Sequence, residues 1–133
     1  MRDLLIVGSG SFIGGICRYY LSGLVAQTFA IQTLPIGTFI VNSLGCLIIG
    51  LVGGVADVHQ ILTPSTRLFL MTGLMGGFTT FSAFSYETLM LMRADRFGVA
   101  LLNAVFSIIC GVLAVWMGFR IIQFLSDIQF IRK

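Results

Sequence analysis

The chain has 133 residues, of which 57% are hydrophobic, 16 more are glycine and only 10% are charged. A soluble domain is about 45–50% apolar with glycine counted and about 25% charged, so a water-soluble monomer would lack a polar coat and is excluded. The net charge of +3 forms no basic run, which argues against a nucleic-acid partner.

A spanning helix takes about 20 apolar residues, so four spans use about 80 and leave short connections. A single bundle this small buries little, so oligomerisation is expected. Charges punctuate the chain. Arg2 and Asp3 precede a first span, residues 4–26, interrupted only by Arg18. Its basic start resembles a secretory leader. Asp3 offsets Arg2, however, and no small-x-small cleavage site follows, so the segment is expected to be a retained span. Gln27–Pro35 reads as a loop, residues 35–56 as the second span, and Asp57, His59, Gln60, Pro64 and Arg67 as the next connection. The third span covers 68–92 and contains Glu87. Arg93, Asp95 and Arg96 form a tight loop, and the fourth span covers 97–119 ahead of a polar, partly amphipathic tail. Residues 1–133 therefore read as one four-span membrane domain. Arg2, Arg67, Arg120, Arg132 and Lys133 share one side, against Arg93, Arg96 and a snorkelling Arg18 on the other. That bias toward termini inside is mild, and both orientations in one membrane fit it.

Cys17, Cys46 and Cys110 are an odd set in apolar stretches without a C-x-x-C pair, so they read as free thiols. The lone His59 offers no multi-histidine metal site. Gly10 and Gly14, Gly50 and Gly54, and Gly73 and Gly77 are each four apart, the spacing that lets helix backbones approach closely in lipid.

The third span should not be a plain helix. Residues 72–85 are mostly Gly, Ser and Thr, and Gly76-Gly77 is followed closely by the β-branched pair Thr79-Thr80, all poor helix formers. Broken backbone at membrane depth is tolerated only under a cover of protein or beside a water-filled cavity, and it frees carbonyls for a cation and amides for an anion. The simpler alternative is an intact helix with a glycine-rich packing face. Two other spans carry polar stripes: Thr38, Asn42, Gly45 and Gly50 in the second, and Asn103, Ser107 and Gly111 in the fourth. Each asparagine alone could be interhelical glue, but beside a break they suggest a polar track through the bundle.

Phe78, Phe81 and Phe84 recur at spacing three. Such a stripe is ordinary packing, or it presents the positive edges of the rings to a small anion. Arg18 is the one charge well inside an apolar run. It either snorkels to the interface or builds an electropositive vestibule, with Glu87 as a candidate ion-pair partner.

Taken in order, Gly14-Gly15-Ile-Cys-Arg18-Tyr19, Pro35-Ile-Gly37-Thr38-Phe-Ile-Val41-Asn42-Ser-Leu-Gly45 and Gly73-Leu-Met-Gly76-Gly77-Phe-Thr79-Thr80-Phe81-Ser82-Ala-Phe84-Ser-Tyr-Glu87 resemble the Fluc (CrcB) fluoride channels. The likeness covers essentially the whole chain. It implies an all-α, multi-pass protein of the inner (plasma) membrane with four transmembrane helices, the third broken mid-membrane. It further implies an antiparallel, dual-topology homodimer that passively exports fluoride to lower its cytoplasmic concentration. A structural sodium ion (Na+) at the dimer centre would be held by the backbone carbonyls of Gly76 and Thr79. The implied fluoride pore comprises Asn42, Phe81, Phe84, Ser82, Ser107 and Asn103, with Arg18 in the vestibule. Ala83 departs from the family pattern, where Thr is frequent.

On this resemblance Gly76→Leu is expected to harm folding or dimerisation, because bulk and a restored helix oppose the break, and fluoride flux is expected to tolerate replacement of Phe78 far better than of Phe81 or Phe84. Two rivals remain for the sequence alone: a proton-coupled multidrug-type transporter and a non-conducting membrane assembly subunit. The first span lacks the deep carboxylate that a proton exchanger needs. No Ser-His-Asp set, zinc motif or phosphate loop points to an enzyme.

Overall fold

A computed structural model describes residues 1–29, 34–58 and 60–131, with the side chains of 129–131 left aside. Residues 30–33 of the expected Gln27–Pro35 loop, His59, and the terminal Arg132 and Lys133 lie outside the described residues.

All regular elements among the described residues are helices, one of the two ways a chain crosses lipid with its backbone polar groups paired internally. The elements are α1 (Arg2–Phe29), α2 (Ile36–Val58), α3 (Pro64–Arg67), a π-helical stretch (Leu68–Met75), α4 (Gly76–Phe78), α5 (Phe81–Arg93) and α6 (Phe97–Ile131). Four stretches are long and apolar enough to cross a membrane: α1, α2, the run Pro64–Arg93, and α6 through Ile128.

Local chemistry sets the ends. Pro64 opens α3 behind Thr63, whose Oγ1 accepts from Thr66 N at 3.2 Å. Proline's missing N–H costs nothing in the first turn of a helix. Thr80 caps α5 in the same way, its Oγ1 accepting from Ala83 N at 3.1 Å. At the other end Ala94 N returns to Met90 O at 3.1 Å, and Asp95 turns the chain at φ 57°. Helix α6 continues through the segment expected to be a tail. Arg120 Nη1 donates to Gln123 Oε1 at 3.1 Å there, and no Gly or Pro after Gly118 interrupts the ladder. Its 35 residues reach about 53 Å at 1.5 Å per residue, well beyond a hydrocarbon core of about 30 Å.

The helices pair as α2 along α6 and α1 along the π stretch and α4. Small residues set both contacts. A Cβ added at Gly10 would lie 2.8 Å from Leu74 N, and one at Gly77 would lie 2.7 Å from Ser11 Cα, so the α1 crossing is backbone against backbone. On the other pair a Cβ at Gly118 would meet Leu51 N at 2.8 Å. The sequence pairs Gly10/Gly14 and Gly73/Gly77 are thus two sides of one crossing. Gly76 differs: the nearest atom to a Cβ there is Met71 O at 4.0 Å. Within one chain the tight steric contact is therefore at Gly77, while Gly76 leaves room for a side chain.

The buried centre is small. Val41, Met75 and Phe78 form it, with Leu21, Ile48, Ile49 and Leu74 packed around them. Many large side chains face outward, among them Phe12, Leu101, Phe106 and Trp116. Exposed apolar side chains on this scale need lipid or another protein surface against them.

Candidate functional site

The third span changes character between Phe78 and Phe81. Thr79 N still donates to Met75 O at 2.9 Å, as does Thr79 Oγ1 at 2.9 Å. Then Thr79 (φ −84°, ψ 154°) and Thr80 (φ −146°, ψ 115°) are extended, and helical geometry resumes at Phe81. Two extended residues release backbone groups that an unbroken helix would pair internally.

Asn42 of α2 takes up the freed Thr80 amide and adds a donor to the Thr80 carbonyl, which as the N-cap carbonyl already accepts the first bond of α5. Thr80 N donates to Asn42 Oδ1 at 2.8 Å, and Asn42 Nδ2 donates to Thr80 O at 3.0 Å. The carboxamide therefore pairs with Thr80 as a neighbouring peptide would in a sheet. The pairing turns the Thr80 amide away from Gly76 O, its acceptor in a continuous helix. It also spends one of Asn42's two N–H donors, leaving one. From α1, Arg18 Nε donates to Gly77 O at 3.3 Å.

Beside the extended residues lies a groove of about 290 Å³ whose lining includes Asn42, Thr79, Thr80, Phe81, Phe84 and Ser107. No lining residue is charged. The Phe81 and Phe84 rings sit 5.6 Å apart, centroid to centroid, tilted by 43°. Phe81 is 81% exposed and Phe84 is half-buried. Phe78 parts from them: at 6% exposure it belongs to the core with Val41 and Met75. This burial bears on stability, because a large core side chain leaves a cavity when truncated, and it leaves the expected tolerance of fluoride flux at Phe78 as a separate matter.

Four of the sequence candidates, Asn42, Phe81, Phe84 and Ser107, thus share one groove. Ser82 is exposed beside it, its Oγ 3.1 Å from Thr80 Oγ1. Asn103 lines a different, mostly apolar groove of about 520 Å³ with Phe39, Leu102 and Phe106. Its Nδ2 donates to Thr88 Oγ1 at 2.9 Å, and Thr88 Oγ1 donates to Phe84 O at 2.8 Å, which ties α6 to α5. Glu87 Oε1 accepts from Thr38 Oγ1 at 2.6 Å, and its Oε2 is buried without a hydrogen-bond partner among the described residues. Sequence reasoning put Thr38 on a polar stripe and missed this pairing, which needs α2 and α5 in register. It also gave Thr80 no role of its own. A β-branched hydroxyl residue just before an apolar run is an N-cap signal that could have found it.

Among the described residues no cluster of three or more His, Cys, Asp or Glu could hold a metal. Backbone carbonyls at the interruption are the oxygen donors on offer, Gly76 O having lost the Thr80 amide and Thr79 lying outside helical geometry.

Residues 5–119 match the family model described as CrcB-like protein, Camphor Resistance (CrcB). The chain belongs to the CrcB family. Among its relatives, a fluoride-specific ion channel FluC of Methylobacillus flagellatus is 42% identical over 92% of this chain and 96% of its own length. Another of that name, from Nitratidesulfovibrio vulgaris strain Miyazaki F, is 42% identical over 89% of this chain and 94% of its own. A third, from Flavobacterium psychrophilum, is 37% identical over 89% and 94%. With CrcB membership and four apolar helices, the chain is a multi-pass membrane protein.

Proposed function

We propose that this CrcB protein is a fluoride-selective channel, not an enzyme or a proton-coupled transporter, and that it lets fluoride leave the cell down its electrochemical gradient across the inner membrane. The observation that carries the reading is the uncharged groove that gathers Asn42, Ser107, Phe81 and Phe84 beside the extended Thr79-Thr80.

Fluoride is small, strongly hydrated and an avid hydrogen-bond acceptor. A pore for it must replace lost water with donors, yet hold the ion loosely enough for it to leave. The remaining Asn42 N–H and the Ser107 hydroxyl are neutral donors, and Ser82 adds a hydroxyl next to Thr80. The edges of Phe81 and Phe84 contribute weak positive potential without a full charge. Asn103 is assigned to the path by the family resemblance, and its amide, with one N–H spent on Thr88, lines a separate groove. Arg18 serves the vestibule, where a positive charge concentrates anions.

The working unit is read as an antiparallel homodimer with both orientations in the membrane and the third span broken at membrane depth. Exposed apolar faces and the weak charge asymmetry support that assembly. Gly76 and Thr79 would hold a structural sodium ion through their carbonyls. Two such oxygens fill part of a cation's shell, and a second copy of the chain would double the number. A bound cation there would add positive local charge beside the anion path.

The test is passive fluoride efflux from liposomes containing the purified protein, read with a fluoride electrode. Fluoride should pass without an imposed proton gradient while chloride is held back. Comparable chloride and fluoride rates, or flux that requires a proton gradient, would sink the reading.

A further inference from the structure

Arg18 has a place in the structure that a vestibule charge does not explain. In a continuous helix Gly77 O would accept from Phe81 N four residues on. The extended Thr79 and Thr80 separate those groups, and Gly77 O instead receives Arg18 Nε at 3.3 Å. Gly77 lies in the last turn before the interruption, where the carbonyls of the run Pro64–Phe78 point past its end. That end carries the negative pole of the helix, so a cation is favoured there and a donor is needed.

The crossing of α1 brings the arginine to this point. Gly14 lies one turn before Arg18, and a Cβ on it would sit 2.8 Å from Phe78 N, so α1 touches the backbone where the helix stops. One turn further along α1, the Arg18 stem starts beside the freed carbonyls.

We infer that Arg18 is a positioning residue: its Nε–H caps Gly77 O across the α1 crossing and holds the Thr79-Thr80 interruption open. Asn42 does the corresponding work on Thr80 from α2. The interruption is thus stitched from both sides by side chains that replace the missing backbone ladder. Arg18 also lines a cavity of about 490 Å³ with Tyr19, Tyr20, Ser22 and Gln27. A guanidinium has five N–H donors and the cap uses one, so capping and attraction of anions are compatible on one side chain.

Substitutions separate the two roles. Arg18→Gln removes the charge but keeps an N–H donor at the same number of bonds from Cα as Nε. Arg18→Lys keeps the charge but puts a methylene at that atom, and Arg18→Met keeps neither. Two quantities would be read on each full-length variant: amide hydrogen exchange across Gly77–Ala83 in the purified protein, and fluoride flux from liposomes over a range of fluoride concentrations. The cap predicts exchange near wild type in Gln and about tenfold faster in Lys and Met. Maximal flux should follow the same order. A vestibule charge alone would raise the half-saturating fluoride concentration in Gln and Met, with Lys restoring it.

Slow exchange in Lys with fast exchange in Gln would overturn the cap. Equal exchange in all three variants, whether fast or slow, would overturn it as well. Should Met fail to fold, the Gln and Lys pair still decides the outcome. The flux arm rests on the channel reading but the exchange arm does not. Absent fluoride flux in the wild-type protein would therefore defeat the channel and leave the cap standing or falling on exchange alone.

Discussion

Up to Phe78 the third span is held chiefly by shape, with Ser11 Oγ on Gly73 O and Arg18 Nε on Gly77 O beside the close contacts; after Thr80 it is held chiefly by polar bonds. Gly73 and Gly77 lie against the backbone of α1 around Gly10 and Ser11, and Met75 and Phe78 fill the small core with Val41. After the interruption, α5 is tied by Asn42 to Thr80, Thr38 to Glu87, and Asn103 to Thr88, while Phe81 at its start is 81% exposed. The difference teaches where each half tolerates change. Close backbone contact tolerates no added atom, whereas a polar stitch tolerates volume changes but not the loss of a donor or acceptor.

The largest expected effect comes from the shape-held half. Phe78→Ala should cost about 3–5 kcal/mol, the range for truncating a buried aromatic. Thermal denaturation in detergent would read it. A cost no larger than that of Phe81→Ala would erase the distinction between the halves.

Next comes the stitch. Asn42→Ala strips the partner from Thr80 N–H, and a polar group left unsatisfied costs about 1–3 kcal/mol, while Thr80 C=O keeps its bond within α5. Fluoride flux should fall about tenfold or more, since each 1.36 kcal/mol of added barrier is a factor of ten in rate. Asn42→Asp restores an acceptor for Thr80 N but no donor for Thr80 O, so its flux should stay low. Efflux from liposomes checks both variants, and full flux in Asn42→Ala would remove the stitch from the mechanism.

The smallest stability effect is expected at the exposed ring. Phe81→Ile should cost under about 1.5 kcal/mol, since little of its surface is buried within the chain. Its flux should nevertheless drop with assembly intact, because the positive ring edge is gone. Phe84→Ile should behave alike in flux. Size-exclusion chromatography beside a fluoride electrode would show whether both hold. Undiminished flux in both would return the pair to packing.

Much of this was legible in residues alone. Four long apolar helices followed from runs between charges, and Gly10, Gly14, Gly73 and Gly77 announced a close crossing by their spacing. The groove residues Asn42, Phe81, Phe84 and Ser107 could each be named from type and motif. Their partners could not. Asn42 carries two N–H donors, yet one is spent on Thr80, a contact between residues 38 positions apart. Spacing of three puts Phe78 in line with Phe81 and Phe84, and only the resemblance kept it out of the implied pore; in the structure the interruption after it splits the stripe into core and groove. Gly118 carried no signal because its neighbour, Leu51, lies on another helix.

The sequence by itself determined four stretches apolar enough to span a membrane as helices and marked residues 72–85 as poor helix formers. Those are properties of composition and local backbone preference, which act within a few residues. Only the tertiary structure decided which side chains replace the missing ladder: Asn42 from α2 for Thr80, and Arg18 from α1 for Gly77. That choice rests on the glycine-lined crossing, which sets how near α1 comes and therefore which carbonyl the arginine reaches. Packing geometry of this kind couples distant residues, and no local pattern encodes it.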